Sequence, residues 1–334
     1  MNAVKLALVG VGEVAQNFHL PIYSKLNNVS LEGVYDKITS KARAIADKYE
    51  IRNVYSSFED LLKNEEISTI DICTSTDKHF EYAIQAIENN KNVIIEKPIA
   101  KNYQEAKLIL EASEKYGTKV MVASNHRFRY DAMVLKNFVQ TGELGDIYYI
   151  RGTWNQHRYG NEWRQQKETS GGGVLMDLGV SLIDSLLWIS NFPQVISASA
   201  SMFKQNTSEV EDICIANIKF DNGMMVNLEI SWSLLSVHNT FGFDIYGSNG
   251  VAKINPLQLF KNDGNILTPI TSIDTLSNIA THKKSFESQL KHFINGILGL
   301  HPIISSPYEA IQTMKIIDML YRSASENKPI LSNE

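Results

Sequence analysis

Six residues near the N-terminus have the spacing of a phosphate-binding turn. Gly10-Val11-Gly12-Glu13-Val14-Ala15 matches the pattern G-x-G-x-x-A and follows the apolar run Val4–Val9, which predicts a buried strand. Gly10 would allow a tight turn, Gly12 would let the backbone approach a pyrophosphate, and Ala15 would let the next helix pack closely on the strand. The N-terminus of that helix would face the anion. The pattern predicts a dinucleotide site, and a purely structural turn is the alternative.

An acidic residue stands where a dinucleotide site uses one. Asp36 ends the second predicted strand, and a carboxylate there can accept hydrogen bonds from the adenosine ribose hydroxyls. The same carboxylate would repel a 2′-phosphate, which favours NAD. Lys37, the next residue, is a cation that could accommodate that phosphate, so NADP stays the alternative.

A second group of charged residues ends another predicted strand. The apolar run Val93–Ile95 is followed by Glu96-Lys97-Pro98, which would place an ammonium group at the edge of the sheet where ligands bind. Glu96 and Lys97 could equally form a surface ion pair, which is the structural alternative for both residues.

An apolar helix predicted over Val174–Ile189 carries a polar stripe. At roughly 100° per residue, Asp177, Ser181, Asp184 and Trp188 fall on one face of it. The three glycines Gly171–Gly173 precede this helix and would leave space for a ligand near its N-terminus. The stripe is therefore either a solvated edge or part of a site.

Two polar segments are candidates for holding a substrate, because they combine aromatic rings, amides and cations. Their candidate residues are Asn125 and Arg127 in the first segment, and His157, Tyr159, Trp163 and Arg164 in the second. Stacking surfaces and several hydrogen-bond donors suit a sugar ring, or a charged group such as a phosphate or carboxylate. An ordinary polar loop has the same composition, which is the alternative.

The pattern of elements predicts two domains. Over residues 1–124, apolar runs alternate with amphipathic helices, which is typical of a doubly wound α/β domain with a parallel sheet. Over residues 125–334, strands dominate, and Asn222-Gly223 between the predicted strands Ile213–Phe220 and Met224–Trp232 is a hairpin signal. Two predicted helices close the chain, at about Phe286–Leu298 and Pro307–Glu326, and the last begins with a capping box of Ser306 and Glu309. We therefore expect an α+β domain with a mostly antiparallel sheet.

Composition excludes several classes of protein. The chain has 334 residues, of which 43% are hydrophobic and 21% charged, and a net charge of −5, which argues against nucleic-acid binding. We find no apolar run of about 18 residues and no signal peptide, so we expect a cytoplasmic protein without a membrane partner. Cys73 and Cys214 lie far apart in the sequence, inside apolar runs, which argues against a disulfide framework and a CxxC site. No cluster of His, Cys and Asp residues has the tight spacing of metal ligands, so we expect no metal site.

Taken together, these motifs make the chain resemble the Gfo/Idh/MocA family of NAD(P)-dependent oxidoreductases, whose signature includes E-K-P. The resemblance covers nearly the whole chain. The motifs that carry it are Gly10–Ala15, Thr74-Ser75-Thr76 with His79, Glu96-Lys97-Pro98, Asn125 with Arg127, Trp163-Arg164, Gly171–Gly173, Asp177-x-Gly179 with Asp184, and the turn Gly247-Ser248-Asn249-Gly250.

The resemblance implies a Rossmann domain followed by a C-terminal domain whose large open sheet often forms an oligomer interface. It implies an active site between the domains, a last helix that packs back on the first domain, and a homodimer or homotetramer. Lys97 would orient the substrate hydroxyl and share in proton transfer, with Asp177 and Ser181 as the other catalytic positions. Cofactor contacts would come from Gly10, Val11, Gly12, Glu13, Val14, Asp36, Lys37, Thr74, Ser75, Thr76, His79, Glu96, Lys97 and Asn125. Substrate contacts would come from Arg127, His157, Tyr159, Trp163, Arg164 and Asp184. His79 could instead brace its own helix.

One position departs from the family pattern. Many members have a histidine as general acid/base where this chain has Ser181, and a serine hydroxyl could only relay a proton or hold a water. Lys97 could do the acid/base work alone while Asp177 orients the substrate, His157 or Tyr159 could substitute, or catalysis could be lost. Two functions therefore stay open. One is hydride transfer to or from a secondary alcohol or ketone of a sugar, polyol or activated sugar. The other is a catalytically silent dinucleotide- and sugar-sensing protein of the same fold.

Overall fold

The computed structural model describes residues 3–157, 162–234, 238–264, 266–270 and 278–333. The chain divides into two compact units. The first contains Met1–Asn125 and Lys283–Ile311, and the second contains His126–His282 and Gln312–Glu334.

The first unit is built on a six-stranded parallel sheet with the strand order β3-β2-β1-β4-β5-β6. The strands are β1 (Val4–Val9), β2 (Val29–Tyr35), β3 (Asn53–Val54), β4 (Thr69–Ile72), β5 (Asn92–Glu96) and β6 (Val120–Ala123). Because the order reverses between β1 and β4, the loops that follow these two strands flank the switch point where doubly wound sheets bind ligands. The predicted doubly wound sheet is confirmed.

Helices connect these parallel strands. A π-helical turn (Ala15–His19) continues into α1 (Leu20–Tyr23), followed by α2 (Thr39–Tyr49), α3 (Phe58–Leu62), a 3₁₀ turn (Thr76–Lys78), α4 (His79–Glu88) and α5 (Tyr103–Tyr116). Local sequence sets the ends of α5: the Asn102 side chain accepts a hydrogen bond from the Glu105 amide, and Gly117 ends the helix at φ 65°.

The second unit contains a nine-stranded sheet with the order β14-β13-β12-β11-β7-β10-β9-β8-β15. Its strands are β7 (Ile147–Asn155), β8 (Val195–Phe203), β9 (Ile213–Phe220), β10 (Met225–Ser231), β11 (Thr240–Gly247), β12 (Gly250–Ile254), β13 (Gln258–Asp263), β14 (Ile266–Pro269) and β15 (Ile330–Leu331). Neighbouring strands are antiparallel except β7 and β10. The hairpin predicted at Asn222-Gly223 joins β9 to β10, with Gly223 at φ 84°.

The remaining helices precede, connect or follow the strands of this sheet in the sequence. They are a 3₁₀ turn (Asn125–Phe128), α6 (Tyr130–Gln140), α7 (Glu162–Gln165), α8 (Lys167–Ser170), a π-helical turn (Leu175–Gly179), α9 (Val180–Ile189), α10 (Asn278–Ile297) and α11 (Pro307–Glu326). The predicted capping box of α11 is present: the Ser306 amide donates to Glu309 Oε2 at 2.9 Å, and the Glu309 amide donates to Ser306 Oγ at 3.4 Å. The α+β architecture is confirmed.

The helical stretch Lys167–Ile189 is long and apolar enough to cross a membrane by length and composition. Nearly all of its most apolar part is buried inside the protein. Burial in the protein core therefore accounts for its apolar character.

Candidate active site

The glycine-rich turn in the first unit has the shape that a dinucleotide needs. Gly10 lies at φ 86°, and a Cβ atom there would lie 2.8 Å from the carbonyl oxygen of Cys73, so only glycine fits. Gly12 is exposed, and the nearest atom to a Cβ built there would be 3.9 Å away. Ala15 is fully buried against the sheet. The open side of Gly12 leaves room for a phosphate group, so these residues fit the cofactor.

Asp36 braces this turn, a role that the sequence did not indicate. Its Oδ2 accepts a hydrogen bond from the Val11 amide at 2.8 Å, and its Oδ1 accepts one from the Ile38 amide at 2.8 Å. Each carboxylate oxygen can accept a further bond, so a contact with ribose hydroxyls stays possible on chemical grounds. Lys37 is exposed beside it, as are Gly12 and Glu13, whereas Val14 is half-buried.

The loops after β4 and β5 are joined by His79. This side chain is 1% exposed, with Nδ1 2.7 Å from the Pro98 carbonyl oxygen and Nε2 3.1 Å from the Thr74 carbonyl oxygen. Burial lowers the pKa of His79, although the two carbonyl groups partly oppose this. The structure thus gives His79 a bracing position, and a cofactor contact for it stays a prediction. Thr74 and Ser75 are half-buried and Thr76 is buried.

Three more predicted residues lie at or just after the ends of the last two strands of this sheet. Glu96 is 8% exposed and its Oε2 accepts a hydrogen bond from the Lys97 amide at 3.2 Å. Lys97 is half-buried. Asn125 is 4% exposed and donates through Nδ2 to Ser285 Oγ at 2.9 Å. The Gly10 turn, Asp36, Thr74–Thr76 and Lys97 therefore follow adjacent strands at one edge of one sheet.

A buried cluster behind this edge was not predicted. His19 Nδ1 lies 2.7 Å from Asp71 Oδ2, and Cys73 Sγ donates to Asp71 Oδ1 at 3.2 Å. Their ligand atoms lie within 4.8 Å of one another, and in the described structure the contact of His19 with Asp71 is a hydrogen bond. The signal was available: Asp71 is a charge inside the buried strand Thr69–Ile72, and such a charge requires a partner.

In the second unit, Arg127 and Asp184 bind each other. The guanidinium donates to the carboxylate through Nε at 2.8 Å and Nη2 at 2.6 Å, and the residues are 1% and 4% exposed. The guanidinium also lies over the Phe192 ring, 5.3 Å from its centroid. The structure therefore shows a buried bidentate ion pair, and substrate contacts for these two residues stay predictions.

Asp177 comes together with two other predicted residues. Its Oδ1 lies 3.6 Å from Arg164 Nε, and the Arg164 guanidinium lies 4.6 Å from the centroid of the Trp163 ring. Asp177 sits in the π-helical turn Leu175–Gly179, so the uniform spacing of 100° per residue assumed for the polar stripe does not hold there. Asp177, Ser181 and Asp184 are all buried, which excludes a solvated edge.

The expectation of ligand space at the three glycines is wrong for Gly172 and Gly173. A Cβ atom on Gly172 would lie 2.0 Å from Tyr321 Oη, and one on Gly173 would lie 1.9 Å from the Glu211 carbonyl oxygen. Glu211 also accepts hydrogen bonds from the Gly173 and Leu175 amides and from Tyr321 Oη. Close packing of protein atoms explains these glycines.

Of the two candidates for replacing the family histidine, His157 is among the described residues. His157 is exposed, and its amide donates to Asn239 Oδ1 at 3.2 Å. Tyr159 lies outside the described residues. A proton-transfer role for either residue stays a prediction.

Comparison with known proteins identifies the family. Gfo/Idh/MocA oxidoreductase models match the chain twice: the NAD-binding Rossmann fold over residues 4–124 and the C-terminal alpha/beta domain over residues 136–331. The chain is 26% identical over 342 residues to D-glucoside 3-dehydrogenase of Escherichia coli (strain K12), which covers 97% of this chain and 96% of the relative. It is 25% identical over 241 residues to levoglucosan dehydrogenase of Pseudarthrobacter phenanthrenivorans, which covers 64% of this chain and 62% of the relative.

Solved structures show the same fold. A levoglucosan dehydrogenase in complex with NADH and levoglucosan has a TM-score of 0.89 at 20% identity, and the match covers 100% of both chains. With the family models matching most of the chain, the protein belongs to the Gfo/Idh/MocA family and is an NAD(P)-dependent oxidoreductase with an NAD-binding Rossmann domain.

Proposed function

We propose that this oxidoreductase acts on a secondary alcohol or ketone of a sugar or polyol. The observation that carries the proposal is the sheet edge of the first unit, where the Gly10 turn, Asp36, Thr74–Thr76 and Lys97 follow adjacent strands. The names of the curated relatives, a glucoside dehydrogenase and a levoglucosan dehydrogenase, favour a carbohydrate as the substrate.

The proposed mechanism divides the work between cofactor and protein. When bound, NAD(P) supplies the chemistry of accepting or donating a hydride. The backbone of Gly10–Ala15 would hold the pyrophosphate, and Asp36 would hold the ribose. The Lys97 ammonium would orient the reacting hydroxyl, stabilise the developing alkoxide and exchange a proton with it. Asp177, held near Arg164, would orient the substrate.

Steady-state assays can test this proposal directly. The purified protein is supplied with NAD or NADP and a panel of glucosides, levoglucosan, free sugars and inositols, and NADH or NADPH formation is followed. The expected result is turnover of at least one carbohydrate, lost in Lys97→Ala and retained in Lys78→Ala. Lys78 is a matched control because it is, like Lys97, a half-buried lysine of the same unit, and it pairs with Glu81 at 2.8 Å. Calorimetric NAD binding without turnover on the whole panel would favour the silent sensing protein instead.

The cofactor preference follows from two neighbouring residues. We propose that NAD is preferred, because the Asp36 carboxylate would repel a 2′-phosphate. Asp36→Ser should weaken NADH binding and thereby reduce the ratio of NADH affinity to NADPH affinity. Lys37→Ala should weaken NADPH binding and leave NADH binding unchanged. Fluorescence titration of each variant with both cofactors measures this.

We also propose a homo-oligomer that forms through the outer face of the nine-stranded sheet. Phe203, Ile215 and Met225 share that face and are 52%, 41% and 44% exposed, which is high for large apolar side chains on neighbouring strands. Ile215→Asp should lower the mass measured by light scattering. Leu108→Asp, at a 47% exposed leucine of α5, is the control that should not change it.

A further inference from the structure

His19 is a buried histidine held between two carboxylates. Its Nδ1 lies 2.7 Å from Asp71 Oδ2, and its Nε2 lies 3.2 Å from Glu96 Oε1. His19 and Asp71 are both fully buried, and Glu96 is 8% exposed. Among the described residues neither His19 Nε2 nor Glu96 Oε1 has a hydrogen-bond partner, so the 3.2 Å contact between them is an ion-pair approach without hydrogen-bond geometry.

The fold brings these three residues together from three different elements. Strands β4 and β5 pair in parallel with Asp71 opposite Ile94, so that Asp71 and Glu96 project from the same face of the sheet. The π-helical turn Ala15–His19, which follows the glycine-rich turn, brings the imidazole onto that face. The rings of Tyr23 and Phe286 meet the imidazole edge-on at 6.1 and 6.2 Å between centroids.

The groups around the ring favour its charged form. Burial by itself lowers the pKa of His19, but the contacts with Asp71 and Cys73 together outweigh burial, and the net pKa is raised well above the usual value. The other titratable groups that face the ring are Glu96, Cys73 and Tyr23. Burial raises the pKa values of Cys73 and Tyr23, so both stay neutral. Phe286, from α10, adds no charge. An imidazolium with a carboxylate oxygen at each nitrogen follows.

Glu96 connects His19 to the backbone of Lys97, the proposed catalytic lysine. While Oε1 faces the imidazole, Oε2 accepts a hydrogen bond from the backbone amide of Lys97 at 3.2 Å. We propose that His19 is a positioning residue: by bridging Asp71 and Glu96 it fixes the backbone of Lys97, and with it the position of the Lys97 ammonium. The catalytic part of this inference rests on the function proposed above.

Two amide variants of His19 separate positioning from simple stabilisation. In His19→Asn the amide can still donate to Asp71 but does not reach Glu96, whereas in His19→Gln it can reach Glu96 but gives up Asp71. We expect His19→Asn to lower kcat by about 10- to 100-fold, with NADH affinity changed less than about twofold, and His19→Gln to keep more of the turnover. Ser113→Ala, at a buried serine of α5 in the same unit whose hydroxyl donates to the Leu110 carbonyl oxygen of its own helix, is the control and should leave kcat near that of the wild type. If kcat instead follows thermal stability, with His19→Asn at least as active as His19→Gln, the proposal is overturned.

A second measurement needs neither substrate nor turnover. Nitrogen NMR of the wild-type imidazole should show both ring nitrogens of His19 protonated at pH 7.5, and a neutral ring would overturn the proposal even if no variant folds. In protein labelled at the lysine Cε, the Lys97 resonance, assigned with Lys97→Arg, should move in His19→Asn and not in Ser113→Ala. A Lys97 resonance that does not respond would also overturn it. If no carbohydrate is turned over while both NMR results hold, the proposed function has failed and the positioning of Lys97 by His19 stands.

Discussion

Arg127 and Asp184 form a bidentate ion pair that is almost completely removed from solvent, with Nε–Oδ2 and Nη2–Oδ1 distances of 2.8 and 2.6 Å. A pair buried in this way is costly to break, because the remaining charge has no water to solvate it. Each of these two buried charges therefore requires the other in the folded state, irrespective of any contact with a substrate.

The first prediction concerns this ion pair. Arg127→Met should lower the free energy of unfolding by about 3 to 5 kcal/mol, because it leaves the Asp184 carboxylate buried without a cation. Urea unfolding measures this, and the double variant Arg127→Met, Asp184→Leu should recover most of the loss. The control is Arg151→Met, which removes a surface ion pair in which Nε and Nη2 both donate to Asp244 Oδ2, at a residue whose side chain is 54% exposed. That variant should cost less than about 1 kcal/mol. A similar cost for the two arginine variants would contradict the argument.

The second prediction concerns the glycines before α9. Gly173→Ala should destabilise the protein by about 3 kcal/mol or more, because its Cβ would lie 1.9 Å from the Glu211 carbonyl oxygen and the backbone would have to move. Gly142→Ala is the matched control: it lies at φ 77° with nothing within 4 Å of the built Cβ, so its cost should stay near about 1 to 2 kcal/mol. Thermal unfolding of both variants tests whether position 173 requires glycine for packing against protein atoms or for space around a ligand. If Gly173→Ala is as stable as Gly142→Ala but loses carbohydrate binding, the ligand explanation returns.

Regular elements could be predicted from the sequence because their patterns are local. The strands Val4–Val9 and Ile213–Phe220 and the helix Pro307–Glu326 have the predicted bounds, since apolar runs, alternation and a capping box are all visible within one element. Helix α10 begins at Asn278, eight positions before the predicted Phe286, because the polar sequence at its start shows no apolar periodicity.

The candidate site could be predicted only where a motif is contiguous. The Gly10 turn and Glu96-Lys97-Pro98 are short motifs, and the sheet places both at the predicted edge. The contact of His19 with Asp71 joins residues 52 positions apart in the chain, and the pair of Arg127 with Asp184 joins residues 57 positions apart. Such contacts depend on packing between elements, which one sequence without homologues does not show. The role of Gly173 was misjudged for the same reason, since Glu211 is 38 positions away.

The third prediction concerns pH. Burial, together with the neighbouring His301, lowers the pKa of His292 to about 4, and Nε2 of His292 accepts a hydrogen bond from the Ile304 amide at 3.1 Å. Between an unfolded pKa of about 6.5 and this value, the unfolded chain takes up a proton that the folded protein does not. The free energy of unfolding should therefore fall as the pH is lowered from 6.5 to 4, by about 1 to 2 kcal/mol once solvent screening of this half-buried group is allowed for.

The variant His292→Gln tests the source of this pH dependence. Its amide oxygen can accept the Ile304 hydrogen bond without titrating, so the fall in stability between pH 6.5 and 4.5 should shrink relative to the wild type. His238→Gln, at an exposed histidine, is the control and should keep the wild-type profile. Urea midpoints at several pH values provide the measurement, and an unchanged profile in His292→Gln would assign the dependence to other groups.

The last prediction concerns Ser181, which stands where many family members have a histidine. Ser181 is 7% exposed, four residues after Asp177 on the same helical segment. If Lys97 does the acid/base work without it, Ser181→Ala should keep kcat within about threefold of the wild type, while Lys97→Ala should lose about 10²- to 10⁴-fold. Ser185→Ala, another buried serine of α9, is the matched control for loss of a hydroxyl in this helix. Initial rates of all three variants on a turned-over carbohydrate make the comparison. A loss in Ser181→Ala as large as that in Lys97→Ala, with Ser185→Ala unaffected, would show that the serine hydroxyl relays the proton.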